Sequence, residues 1–267
     1  MCHGNQWWIK VLALFGALFC IPCSCAEQVD PLRDVSYEVK FLLDADAVLT
    51  DQHLPTEALT ERFSLKECRR IDVIYLETAD RAFNNEGWVN RLRWKSWKKK
   101  PERTYKKRYA VDGMDQSAIL AALERIRADG LDVASEGGTL EIDWGYSKMT
   151  LSATWEVTEK YGDLQSLSQF NTGDAIACAA STMPAQEVNW KRDGWGLEAI
   201  SRAQKIGPLQ LFRAKGSWEE TELTLDIVFF KVGSAPVAEL SFKTDDYQTA
   251  LEKRNDVAHL PEQSLSI

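Results

Sequence analysis

Alternation of apolar and polar residues recurs in eight separate segments of this chain, and a period of two commits each of them to a strand with two chemically different faces. In the first segment Val35, Tyr37, Val39 and Phe41 interleave with Ser36, Glu38 and Lys40. The others run from Cys68 to Leu76, Val89 to Lys95, Thr104 to Val111, Met149 to Thr158, Leu209 to Lys215, Glu222 to Phe230 and Val237 to Lys243. Eight strands in one domain predict a barrel or a sandwich. Helical signals are fewer. Thr56 to Arg62 opens behind Pro55, Gln116 to Asp129 carries Ile119, Leu123 and Ile126 on one face, and Asp246 to Arg254 follows Asp245 as an N-cap. The stretch 161–208 holds Gly, Trp and short helical pieces and reads as an excursion from the sheet. No internal repeat and no Pro- or Gly-rich linker divides the chain, so 27–267 is expected to be a single α+β domain.

The N-terminus stands apart. Lys10 precedes an apolar run from Val11 to Ile21, and Ser24 and Ala26 supply small residues for cleavage near Ala26. This reads as a signal peptide over 1–26, and the run is too short for the roughly 20 residues that span a bilayer. The mature protein is then expected to be secreted or periplasmic. Cleavage removes Cys2, Cys20, Cys23 and Cys25 and leaves Cys68 and Cys178 in an oxidising compartment. One disulfide between them is the economical expectation, and two unpaired buried thiols are the alternative. Only His53 and His259 remain, in no supporting motif, which excludes a His-rich zinc site.

Charge is unevenly spread. From Arg91 to Arg108 there are ten basic residues and one acid, Glu102; that net +9 within a chain of total −8 leaves −17 elsewhere. The block Lys98-Lys99-Lys100 reads as a solvated hairpin turn. The alternating members carry more information. Arg91 and Arg93 share one strand face and Lys106 and Arg108 one face of the next, while Leu92 and Trp94 take the opposite side. Glu38 with Lys40, Arg213 with Lys215, and Glu239 with Lys243 repeat the arrangement. A barrel closed with these positions inward would be a wet tunnel of both charge signs, because dry burial of unpaired ions costs several kcal/mol each, to order of magnitude.

In order along the chain, these segments resemble the CYTH-type proteins, the triphosphate tunnel metalloenzymes. Ser36-Tyr37-Glu38-Val39-Lys40 is similar to their opening Glu-x-Glu-x-Lys strand. Tyr75-Leu76-Glu77-Thr78, the turn Ala79 to Glu86, and Val89-Asn90-Arg91-Leu92-Arg93 are similar to the Tyr-Phe-Asp-Thr, helical and Leu-Arg-Leu-Arg elements that follow. Thr104-Tyr105-Lys106, Arg213 with Lys215, Leu225-Asp226 and Glu239-Leu240-Ser241 resemble the later strands. The resemblance implies an antiparallel eight-stranded β-barrel tunnel with flanking helices. It implies that Arg91, Arg93, Lys106, Arg108, Arg213 and Lys215 grip phosphate, bidentate Arg being best suited to its oxygens. Glu38 and Lys40 would be catalytic. Glu38 and Glu239, with Asp226 and Glu156 as further candidates, would bind Mg²⁺ or Mn²⁺.

Ser36 and Ser241 depart from the pattern, standing where the family has carboxylates. The expected function is an exported metal-dependent phosphohydrolase acting on a triphosphate or polyphosphate. The alternatives are a tunnel that binds a phosphorylated or polyanionic ligand without turnover, a lipocalin-like carrier with an apolar interior, and an open sheet whose basic face binds an extracellular polyanion. No specific nucleic-acid partner is expected.

Overall fold

Most apolar members of the alternating segments lie on the outer surface of a closed barrel, beneath helices, and most charged members line its lumen. The computed structural model describes residues 32–98, 100–158, 167, 170–230 and 234–258, and these lie in one unit, Pro31–Ile267. The expected leader over 1–26, Lys99, His259 and most of 159–169 fall outside the described residues. No described helix is long and apolar enough to cross a membrane.

Nine strands form the barrel: β1 (Val35–Leu43), β2 (Arg69–Glu77), β3 (Trp88–Lys95), β4 (Glu102–Val111), β5 (Thr139–Trp144), β6 (Met149–Thr158), β7 (Gln204–Trp218), β8 (Thr221–Phe229) and β9 (Val237–Thr244). Their order around the barrel is β1-β5-β6-β4-β3-β2-β7-β8-β9, and β9 pairs with β1 to close it. Two expectations are corrected here. The barrel has nine strands rather than eight, and it is mixed rather than wholly antiparallel, because β5 enters parallel to β1. The extra strand is short, lies between Gly137-Gly138 and Gly145, and carries two acids in six residues, so its apolar signal is weak. It reaches its place by a crossover through α4 (Gln116–Ala128), which follows the short helices α1 (Ala45–Val48), α2 (Glu57–Arg62) and α3 (Ala82–Asn85) and carries the chain from β4 past β6, the strand that separates β4 from β5.

Alternation decides the faces. In β1, Val35, Tyr37, Val39 and Phe41 are at most 1% exposed, while Ser36, Glu38 and Lys40 are half-buried on the lumen side. Outside, α4 lays Ile119, Ala122, Leu123 and Ile126 toward the barrel against β4 and β6, its first turn capped by Asp115, whose carboxylate accepts from Ala118 N at 2.9 Å. Across β5 from it, α8 (Tyr247–Ala258) packs on β1 and β9, with Tyr247 stacked on Trp144 and donating to Met114 O at 3.3 Å.

The excursion covers the outside of β3 and β4. Its described helices are α5 (Thr172–Thr182), α6 (Ala185–Val188) and α7 (Trp195–Ser201). Tyr105 donates to Ala179 O at 2.8 Å, and Trp190 meets Trp88 edge-on with ring centroids 5.7 Å apart. Cys178 faces this packing from α5 with Ala175 and Ala179, whereas Cys68 stands half-buried at the head of β2. No disulfide joins Cys68 to Cys178 in this structure.

A buried polar contact pins the excursion to the barrel. Asn90 Nδ2 donates to Glu187 Oε1 at 2.6 Å, and both residues are at most 1% exposed. Burial pushes the Glu187 carboxyl up to about 8, against the lowering effect of Asn90 and Arg103. The folded protein therefore binds this proton more tightly than the unfolded chain does. Stability is full below the ordinary value of 4.5 and is lost as pH rises from there toward about 8. Glu187→Gln keeps an acceptor for Asn90 and removes the titration. Chemical denaturation across that window is expected to give a flatter pH profile for the variant, the difference at the alkaline end being on the order of a few kcal/mol. Parallel profiles would contradict this account.

Candidate active site in the barrel lumen

Strand register brings charged residues from separate strands to one wall. Glu38 on β1 lies level with Asp143 on β5, and Ser36 with Glu141. Lys40 Nζ is 2.9 Å from Glu38 Oε2 and donates to Asp143 Oδ1 at 2.6 Å. Asp143 Oδ2 accepts from Ser152 Oγ at 2.8 Å and from Lys106 Nζ at 3.4 Å. Lys106 also stands 3.5 Å from Glu141 Oε1, and Lys243 bridges Glu141 and Glu38. Three carboxylates thus interleave with three ammonium groups.

The proton affinities follow from that arrangement. Burial opposes the charge on Lys40, but Glu38, Asp143 and Glu239 outweigh it and hold the ammonium well above its ordinary value. Burial also works against Asp143 and Glu38, yet Lys40 with Lys106, and Lys40 with Lys243, hold the two carboxyls below their ordinary range. Glu239 moves the other way. Burial, aided by the charges of Asp226, Glu38 and Asp143, raises its carboxyl despite Lys40, and no ion pair engages it among the described residues.

The opposite wall is cationic. Arg91 Nη2 donates to Thr104 Oγ1 at 3.2 Å, but its Nε is buried without a partner. Burial and the neighbouring Arg93 charge pull the Arg91 guanidinium below its ordinary value. Arg93 donates to Glu102 at 2.9 Å and lies 3.6 Å from Glu156, and Lys95 donates to Glu102 at 2.8 Å. Arg213 forms a fork to Asp226 at 2.7 and 2.5 Å.

The residues expected from the sequence therefore occupy different situations. Glu38, Lys40 and Lys106 belong to the carboxylate and ammonium cluster, and Arg91 and Arg93 stand together. Arg108 shares the lumen face of β4 level with Ser152 and is exposed. Glu239 and Asp226 are register partners, but Asp226 is engaged by Arg213. Glu156 is 51% exposed in its side chain and pairs with Arg93, away from the cluster. Lys215 is 58% exposed and turns to Glu222. Arg103 and Lys107, also in the basic run, point outward and are buried beneath the excursion and its flanking loops; Lys107 sits 4.2 Å from the centre of the Trp190 ring. Sequence reading missed Glu141 and Asp143. The alternation of Leu140, Ile142 and Trp144 with Thr139, Glu141 and Asp143 is the signal that locates them.

No family profile matches the sequence, and no curated protein matches it. Solved structures do. A protein from Hippeastrum, proposed as an adenylyl cyclase and revealing a dominant triphosphatase activity, superposes with a TM-score of 0.52 at 14% identity over 85% of this chain and 87% of its own. The barrel therefore shares the fold of that protein. A protein from Bacillus halodurans proposed as an adenylate cyclase matches at TM-score 0.45 and 14% identity, covering 84% of this chain and 88% of its own. Another from Pyrococcus horikoshii gives 0.40 and 13% over 84% and 86%. Such identities carry the fold, so the chemistry of this tunnel has to be argued from its own side chains.

The tunnel's donor set suits a hard divalent cation. Carboxylate oxygens of Glu38, Glu141 and Asp143 lie within 4.8 Å of one another, and oxygen donors are what Mg²⁺ and Mn²⁺ take. Glu141 stands level with Ser36, so β5 supplies a carboxylate beside the position where the sequence pattern of β1 lacks one.

Proposed function

We propose that this tunnel binds a triphosphate-type anion and hydrolyses it with the help of a divalent cation. The observation that carries the reading is the division of one lumen into a cationic wall, where Arg91 has a buried unsatisfied Nε, and an acidic wall of Glu38, Glu141 and Asp143. An anion bridging Arg91 and Arg93 would relieve the repulsion between them and satisfy the donor left over. Lys40, already held charged by the acids around it, and Lys106 would face the same anion. Glu38, Glu141 and Asp143 would hold Mg²⁺ or Mn²⁺, with Glu239 adding charge nearby; the cation would polarise the phosphoryl group and make bound water more acidic. The similarity in fold to the Hippeastrum protein supports the reading. The apolar run from Val11 to Ile21 supports an exported location.

Phosphate release from tripolyphosphate and from nucleoside triphosphates tests the proposal. Release is expected with Mg²⁺ or Mn²⁺, and to be abolished by chelator and by Glu38→Gln. Full activity in excess chelator would remove the metal from the reaction, and failure to bind tripolyphosphate at all would refute the reading. A second reading, phosphate binding without turnover, is favoured by one observation: Lys40, Lys106 and Lys243 already neutralise the three clustered carboxylates. Binding of tripolyphosphate without release under any metal would select it.

A further inference from the structure

Not all of the lumen is charged. Register aligns Ile71 on β2 with Leu211 on β7, Leu211 with Val228 on β8, and Val228 with Val237 on β9. This is an unbroken row of four aliphatic side chains on the lumen face. The next row pairs Val73 with Leu209, and the one beyond it Tyr75 with Ile206. These rows end on β3 at Lys95, Arg93 and Arg91 respectively. On the other side they border the charged row of Arg213, Asp226 and Glu239. The outer faces of the same strands carry Ile74, Leu76, Leu225 and Ile227, all at most 2% exposed, so the core under the helices does not account for the inward aliphatic residues.

The strip also leads outward. At the end of the barrel where β1 and β8 finish and β7 begins, Leu42 is 63% exposed, Phe230 58% and Ile206 49%. Leu42 lies level with Glu239 on the lumen face. An inorganic polyphosphate, hydrated on all sides, gains nothing from aliphatic walls.

We infer that the ligand of this tunnel is an organic phosphate with an aliphatic chain, its phosphates at Arg91 and Arg93 and its chain along Leu209, Leu211, Val228 and Val237 toward the mouth at Leu42. The inference rests on the phosphate-binding reading above and names the substrate class within it. Aliphatic side chains offer no hydrogen bonds with which to read a nucleobase, whereas a saturated or isoprenoid chain needs only burial. Each methylene buried would tighten binding about fourfold.

Calorimetric titration of the full chain with geranyl diphosphate, inorganic diphosphate and geraniol tests this. Geranyl diphosphate is expected to bind at least about tenfold more tightly than inorganic diphosphate, and geraniol far more weakly than either. Leu211→Ser is expected to reduce the ratio of the two diphosphate affinities; should it fail to fold, Leu42→Ser at its exposed position is expected to move the same ratio in the same direction. Equal affinity for the two diphosphates would overturn the inference and leave the phosphate reading standing. Geraniol binding as tightly as its diphosphate would overturn the joint recognition of head and chain, and no binding of either diphosphate by a protein that still binds tripolyphosphate would overturn the inference alone.

Discussion

Asp143→Ala is expected to lower stability by about 2–3 kcal/mol, between the roughly 0–1 kcal/mol of exposed ion pairs and the roughly 3–5 kcal/mol of fully buried ones. The intermediate figure follows from exposure, since the side chains of Asp143 and Lys106 are 16% and 12% accessible and that of Lys40 is 27%. The variant leaves Lys40 with Glu38 alone, Lys106 with only Glu141, and Ser152 without its acceptor. The pH dependence has a definite sign. Asp143 titrates well below its ordinary 3.8 because lysine charge overrides burial, so its contribution is present above that value and disappears as pH falls beneath it. Denaturant titrations at neutral and acid pH should show the wild type losing stability on acidification while Asp143→Ala, already destabilised, loses less. Equal midpoints for the two proteins at neutral pH would contradict the assigned network.

Arg91→Ala is expected to behave in the opposite way. Its guanidinium is buried with an unsatisfied Nε and pushed below its ordinary value by burial and by Arg93, so the free protein loses little when it is removed. Its removal relieves the repulsion with Arg93 and the cost of a buried donor without a partner. Binding should suffer instead, by about 1.5–3 kcal/mol for a hydrogen bond to a charged partner, which is roughly tenfold to a hundredfold in the dissociation constant for tripolyphosphate. Arg91→Lys keeps the charge and loses the fork, and should recover only part of the affinity. Unchanged tripolyphosphate affinity in Arg91→Ala would remove this residue from the site. Together the two variants separate a side chain that the fold needs from one that only a ligand needs.

Much of this could be read in the sequence. A strand exposes alternate residues to opposite sides, so Glu38 with Lys40, Arg91 with Arg93, and Arg213 with Lys215 separate from their apolar neighbours in the sequence alone. The helix from Gln116 is equally plain, its apolar stripe being a local signal, whereas its Asp115 cap is not picked out. Pairing was less legible. Asp226 resembled a metal ligand until Arg213 proved to be its register partner on the adjacent strand, and Glu156 until it was found at the exposed end of β6 beside Arg93.

The chain alone determined which residues share a side of each strand, because side-chain direction follows from backbone geometry one residue at a time. Tertiary structure decided that β5 enters parallel to β1 and delivers Glu141 and Asp143 to Lys40 and Lys106, and that the aliphatic faces of β2, β7, β8 and β9 join into one strip. Those outcomes depend on contacts between residues far apart in sequence, such as Lys40 and Asp143, and on closure of the barrel, for which no local pattern in the chain carries a signal.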